Sequence, residues 1–221
     1  MIIAIDGPAG TGKGTVAKLI SERLHYTYID TGAMYRSITL KMLREGIGLD
    51  ELEKIKDLLE RTTITFENRE DKQYVFLDGE DVTELIRKPD VNENVSPVSA
   101  IPEIRIKMVE LQRELGKNGN VIMEGRDITT VVFPNAELKI YLDAALEIRA
   151  ERRYQELLEK GNHVTYEETL ESVRKRDDND MHKKMGALKI AEDAVVIDSS
   201  NLSIEEVYNR VLEEIKNVAE H

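Results

Sequence analysis

The sequence predicts an α/β fold, a parallel sheet with helices on both of its faces. Three observations predict it. Short apolar runs alternate with segments whose apolar residues recur at three- and four-residue spacing, the order expected of strands joined by crossover helices. The first run is apolar throughout, as buried parallel strands are. Each polar motif falls just beyond the end of a run, and parallel sheets bind ligands beyond the carboxyl ends of their strands.

The first run, Ile2 to Ile5, enters a turn at Asp6 and Gly7, and Val16, Leu19, Ile20 and Leu24 then mark a helix. A second strand, Tyr26 to Ile29, leads into Asp30-Thr31-Gly32, followed by a helix carrying Met34, Ile38, Met42 and Leu43. Leu52 to Leu59 reads as another helix. From Thr62 the texture changes: Ile64 to Phe66 and Tyr74 to Leu77 are β-rich and flank the polar run Glu67 to Gln73, which signals a hairpin. Residues 62–97 therefore read as an insert in a core of 1–61 and 98–221. Helical spacing returns from Glu103 to Leu115. Val121 to Met123 is a strand that delivers Glu124-Gly125-Arg126-Asp127, and Leu138 to Leu142 is a strand ended by Asp143. Arginine-rich helices follow over 146–159 and 166–178, with a short helical lid expected at about 150–165. Ala194 to Ile197 is the last strand and Ile204 to Val218 the closing helix.

A chain of 221 residues is long enough for one substantial core. Its net charge of −12 repels nucleic acid and anionic membrane surfaces, so neither is expected as a partner. There is no cysteine, which rules out disulfides and thiolate metal sites, and the four histidines have no metal-ligand spacing. The N-terminus shows no signal-peptide pattern and no apolar run approaches the roughly 20 residues of a membrane span. A cytoplasmic monomer acting on small molecules is expected.

Gly7-Pro8-Ala9-Gly10-Thr11-Gly12-Lys13-Gly14-Thr15 fits the P-loop, in which successive backbone N–H groups and a helix N-terminus wrap an anion. The sheet is therefore expected to be of the P-loop NTPase type, and the anion to be the triphosphate of ATP. Lys13 would reach the β- and γ-phosphates, and Thr15 would give its hydroxyl to Mg²⁺. Gly14 stands where the usual pattern has Ser or Thr, and the Gly-Lys-Gly-Thr variant resembles that of nucleoside monophosphate kinases. No Asn-Lys-x-Asp guanine motif is present. Instead Asp30-Thr31-Gly32-Ala33-Met34-Tyr35-Arg36 follows the second strand. There Arg36 can donate paired N–H bonds to phosphate oxygens, with Thr31 and Tyr35 adding hydroxyls.

The P-loop, the Asp30 to Arg36 motif, Glu124 to Asp127 with Thr130-Val131-Val132-Phe133-Pro134, and Arg176-Asp177-Asp178-Asn179-Asp180 together resemble the bacterial cytidylate kinase family over nearly the whole chain. The resemblance implies a phosphoryl transfer from ATP to CMP or dCMP, and makes 62–97 the nucleoside monophosphate-binding insert. Asp127 would accept from the cytosine amino group, Arg105 would donate to the ring acceptors, and Ser96 would add a contact. Arg36, Arg126 and Lys183 would hold the acceptor phosphate, and Arg176 and Asp180 would reach the sugar. Arg149 would cover the adenine and Arg153 the phosphates. Lys13 and the converging Arg126, Arg153 and Arg176 would offset charge on the transferred group, and Glu124 would orient Mg²⁺ through water. The family pattern has Arg at position 183 and Asp at position 124. Rival readings are a kinase for UMP, AMP or shikimate, and a P-loop switch ATPase.

Overall fold

The computed structural model describes residues 1–69 and 72–220. In chain order the elements are β1 (Ile2–Asp6), α1 (Lys13–Leu24), β2 (Thr27–Asp30), α2 (Thr31–Glu45), α3 (Leu52–Glu60), β3 (Ile64–Arg69), β4 (Lys72–Leu77), β5 (Glu80–Asp81), α4 (Pro89–Val98), α5 (Pro102–Gly116), β6 (Val121–Gly125), β7 (Leu138–Asp143), α6 (Leu146–Glu159), α7 (Tyr166–Met181), β8 (Val195–Asp198) and α8 (Ile204–Ala219). They divide into two units, one of Met1–Tyr28 with Gly116 to the C-terminus and one of Ile29–Leu115.

The first unit is built on a parallel sheet. β1 pairs with β6 in register Ile3↔Ile122 and with β7 in register Ile3↔Leu138, and β7 pairs with β8. The strand order is β2-β6-β1-β7-β8, and the unit boundary falls inside the edge strand β2. Ile3, Ile5, Ile122, Ile140 and Ile197 are buried in one apolar cluster with Val16 and Ile20 of α1 and Val207, Val211 and Ile215 of α8. Burial of side chains of this size stabilises by about 1.5–3 kcal/mol each, which is why the strands read as apolar runs. At α8 the N-terminus is set by a capping box, in which Ser203 accepts from Glu206 N and the Glu206 carboxylate accepts from Ser203 N.

The second unit carries the antiparallel sheet β3-β4-β5, with Ile64↔Leu77 and Arg69↔Lys72 in register. Residues 70 and 71 of the expected polar run lie outside the described residues. Val75, Leu77, Val82, Ile86 and Val91 form its core with Ala33 and Leu40 of α2. The buried Lys41 ties α2 to this sheet, donating to Asp78 Oδ2 at 2.5 Å and to Thr62 Oγ1 at 2.9 Å. Residues 62–97 hold β3, β4, β5 and α4 within this unit.

β5 was not foreseen, and neither were two further elements. α4 is made of Pro89-Asp-Val-Asn-Glu-Asn-Val-Ser-Pro-Val98, whose Asn, Ser and Pro signal a turn. Val91, Val95 and Val98 nevertheless share one buried face, and Pro89 sits in the first turn, where its missing N–H costs nothing. The other is a π-helical turn over Ile128–Val132, held from outside its own segment as described next.

Candidate active site

The glycine loop leaves β1 and passes directly into α1, whose first residue is Lys13. The lysine is buried. Its ammonium donates to Pro8 O at 2.6 Å and lies 3.4 Å from Thr11 Oγ1. Burial, then the nearby positive charge of Arg126, pushes its pKa down to about 7, while Glu124 and Asp6 oppose the shift. The side chain is thus held along the loop with no carboxylate among the described residues bonded to it, and an anion entering the loop would supply a counter-charge.

Gly14 has a steric explanation. A Cβ there would lie 2.7 Å from Glu124 Oε1 and 3.3 Å from Tyr28 Oη, and Tyr28 donates to Glu124 Oε1 at 2.6 Å. The bare glycine leaves room for the Glu124 carboxylate against the loop, and Thr15 follows it in the chain. A hydroxyl and a carboxylate are the hard oxygen ligands Mg²⁺ takes when phosphates and waters complete its octahedron, so these residues fit the ion.

Beyond β6, Arg126 donates its Nε to Asp180 Oδ2 at 2.8 Å, and Lys183 donates to Asp180 Oδ1 at 2.9 Å. Burial opposes the charge on Asp180, but Arg126 and Lys183 outweigh it and hold the carboxyl far below the usual range. Arg176, on the same helix as Asp180, contributes to the field at both Asp180 and Lys13. One patch therefore joins Lys13, Glu124, Arg126, Arg176, Asp180 and Lys183. The sequence did not point to Asp6, which is fully buried and accepts from Ile128 N at 3.0 Å, Thr129 N at 2.7 Å and Thr129 Oγ1 at 2.6 Å. These bonds start the π-helical turn and tie the segment after Asp127 to the strand that leads into the loop. Burial raises the Asp6 pKa to about 6 although all three bonds favour its charged form.

Arg149 is buried on α6, with Nη1 and Nη2 at 3.0 Å and 2.6 Å from the two carboxylate oxygens of Asp177 on α7. Its Nη1 also donates to Ala9 O of the loop at 3.2 Å. Arg149→Ala is expected to cost about 3–5 kcal/mol of unfolding free energy, since it leaves Asp177 a buried charge without its partner. Urea denaturation checks this, and the Arg149→Ala, Asp177→Ala double variant should recover part of the loss. Arg153 instead pairs with Glu156 at 2.7 Å on a half-exposed face of α6.

In the second unit Asp30 caps α2 by accepting from Ala33 N at 3.1 Å, so the Asp30 to Arg36 motif forms the opening turns of a helix. Arg36 lies back along that turn, with Nη1 only 2.8 Å from where a Gly32 Cβ would stand, and its Nε donates to Asn92 Oδ1 at 3.4 Å. Thr31 and Tyr35 are buried, and the guanidinium of the buried Arg105 sits 5.4 Å from the Tyr35 ring centre while donating to Ser99 O at 3.0 Å. Ser96 is half-buried on α4, one turn before Ser99.

A glycine loop at the end of a parallel strand, a buried lysine inside it and a basic cluster beyond the neighbouring strand define the class of protein: a P-loop kinase. A family model described as cytidylate kinase matches residues 3–217. Curated relatives include the cytidylate kinase of Caldicellulosiruptor bescii, 53% identical over 96% of this chain and 93% of its own length. The cytidylate kinase of Bacillus subtilis (strain 168) is 48% identical over 97% and 96%. The chain belongs to the cytidylate kinase family and is an enzyme, a nucleoside monophosphate kinase. An uncharacterized protein from Eubacterium ventriosum ATCC 27560, 13% identical with 98% of each chain covered, superposes with a TM-score of 0.53 and shows the fold alone. Among the described residues no helix is long and apolar enough to cross a membrane.

Proposed function

We propose that the chain transfers the γ-phosphoryl group of ATP to CMP or dCMP. An oxygen of the acceptor phosphate attacks the γ-phosphorus, the bond from that phosphorus to the β-bridging oxygen breaks, and ADP leaves. The observation that carries the reading is the single patch of Lys13, Arg126, Arg176, Asp180 and Lys183 beyond the ends of β1 and β6. It suits a reaction whose catalysis rests on alignment and charge neutralisation. An acceptor phosphate with a second pKa near 6 is mostly ionised at neutral pH, so no general base is assigned.

Gly7 to Thr15 cradle the triphosphate, with Lys13 on the β- and γ-phosphates and Arg149 behind the loop. Thr15 directly, and Glu124 through water, would hold Mg²⁺, which when bound would offset the charge of the phosphates. Arg126, Arg36 and Lys183 take the acceptor phosphate, Arg176 and Asp180 the sugar, and Arg153 swings from Glu156 to the phosphates as the lid segment 150–165 closes. Residues 62–97 serve as the nucleotide-binding insert, with Thr31, Tyr35 and Ser96 lining the acceptor site. The lack of cysteine supports a cytoplasmic location, and the net charge of −12 argues against nucleic acid as a partner.

Asp127 and Arg105 read the cytosine edge. Uracil would set a carbonyl against the Asp127 carboxylate, leaving both groups without a hydrogen. Asp127→Asn is expected to lower kcat/KM for CMP by about tenfold or more, as loss of a charged buried partner does. The amide can also donate, so the ratio of CMP to UMP efficiency at saturating ATP should narrow. An equal fall for both substrates would remove base reading from Asp127 and make it a support for Arg126.

A further inference from the structure

Behind the phosphate loop, three consecutive backbone carbonyls are each met by a side-chain donor. Ala9 O accepts from Arg149 Nη1, Gly10 O accepts from Arg152 Nη1 at 3.4 Å, and Thr11 O lies 3.1 Å from Ser199 Oγ. Ser199 is 1% exposed. The one hydrogen of that hydroxyl is shared between Thr11 O and Asp143 O, the latter 2.9 Å away, while the Ser199 N–H donates to Asp143 O at 2.8 Å and its oxygens accept from Arg152, Oγ at 3.3 Å and the carbonyl at 2.7 Å. One buried hydroxyl thus joins the ends of β7 and β8, helix α6 and the loop.

The consequence follows from peptide geometry. In a planar trans peptide the C=O and the next residue's N–H point in opposite directions. Donors that grip the carbonyls of residues 9, 10 and 11 from behind therefore turn the N–H groups of Gly10, Thr11 and Gly12 the other way. Those are the amides that a phosphate loop presents to its anion. Two of the three donors are cationic, which strengthens the bonds and polarises the peptides in the direction an anion needs.

We propose that Arg152 and Ser199 are positioning residues of the ATP site, holding the loop's carbonyls back so that its N–H groups face the triphosphate before ATP arrives. The inference rests on reading Gly7 to Thr15 as the ATP cradle. Neither side chain is expected to touch the acceptor nucleotide. Because Arg152 bonds both Gly10 O and Ser199, the two residues act as one support.

The test is Arg152→Ala, Ser199→Ala and the double variant, with Kd for ATP and for CMP measured by calorimetry, and melting temperatures measured without ligand. Each single variant is expected to weaken ATP by about 3- to 30-fold, the range for losing one or two hydrogen bonds to a charged or buried group, and to leave CMP within about twofold. The double variant should weaken ATP by less than the product of the two, since the residues share a bond. Ser199→Ala removes a single oxygen and keeps the experiment decisive should Arg152→Ala unfold. Unchanged ATP affinity, or an equal loss for ATP and CMP, would overturn the proposal, and a lowered melting temperature alone would count with those. Lys13→Met separates the two levels of the argument. If Lys13→Met loses turnover while Arg152→Ala and Ser199→Ala bind ATP normally, only the positioning role falls; if Lys13→Met turns over normally, the cradle assignment falls with it.

Discussion

Lys13→Met is expected to yield a folded protein that is more stable than wild type at pH 7 and has lost about 10²- to 10³-fold in turnover, the usual cost of deleting one preorganised charge donor. The rate loss follows from the position of Lys13 inside the loop, bonded among the described residues to Pro8 O and Thr11 Oγ1, where the phosphates of ATP would replace a backbone carbonyl as its partner. The stability gain follows from the same burial. The folded pKa of about 7 lies below the ordinary 10.5, so folding disfavours the charged ammonium. The stability that Lys13 withholds is restored above its unfolded pKa and is lost as pH falls through the folded value. The advantage of Lys13→Met over wild type should therefore be largest near pH 7 and shrink steadily toward pH 10. Melting curves across that range check the sign, and steady-state assays at saturating Mg²⁺ and ATP check the rate. A folded variant with near wild-type turnover would remove Lys13 from the ATP site.

Arg126→Ala is expected to lower kcat/KM for CMP by about 10²- to 10³-fold, because it deletes a guanidinium assigned to the acceptor phosphate. ATP binding should stay nearly unchanged. Two side effects are built into the geometry. Asp180 would lose the Arg126 bond and keep the Lys183 ammonium at 2.9 Å and the charge of Arg176, so its strongly depressed pKa would rise and the stability it contributes above the ordinary Asp pKa would fall. Arg126 is also the foremost charge pushing the Lys13 pKa down, so its removal would let Lys13 become more fully charged. Both effects act without contact to CMP, and the companion variant Arg36→Ala isolates the phosphate contribution from them. Kinetics with each substrate varied in turn decide the matter. A fall in ATP affinity with CMP unaffected would place Arg126 on the wrong side of the site.

Much of this protein is determined by residues close together in the sequence. The apolar runs of β1 and β6 are legible because a strand buried on both faces is apolar, β7 stays legible although the buried Lys139 interrupts it, and each of them ends near its expected boundary. The phosphate loop is legible for a related reason: its chemistry resides in consecutive backbone N–H groups, glycine freedom and the lysine, all within nine residues. Charge and cysteine content likewise need no fold to be read. α4 was hidden because its Asn, Ser and Pro residues speak for a turn locally, and only the burial of Val91, Val95 and Val98 against the rest of its unit overrides them. Tertiary structure alone decided the supports of the site. Asp6 meets Thr129 across 123 positions, Arg126 meets Asp180 across 54, and Ser199 reaches Thr11 across 188. No spacing rule links residues so far apart: Arg126, Asp180 and Thr11 belong to motifs visible in the sequence, but their long-range partners do not follow from those motifs, and Asp6, Thr129 and Ser199 read as ordinary polar residues. What gives them their roles is burial. Removed from water, a carboxylate, a guanidinium or a hydroxyl must find its partner inside the fold, and the partner it finds is set by where the strand ends converge.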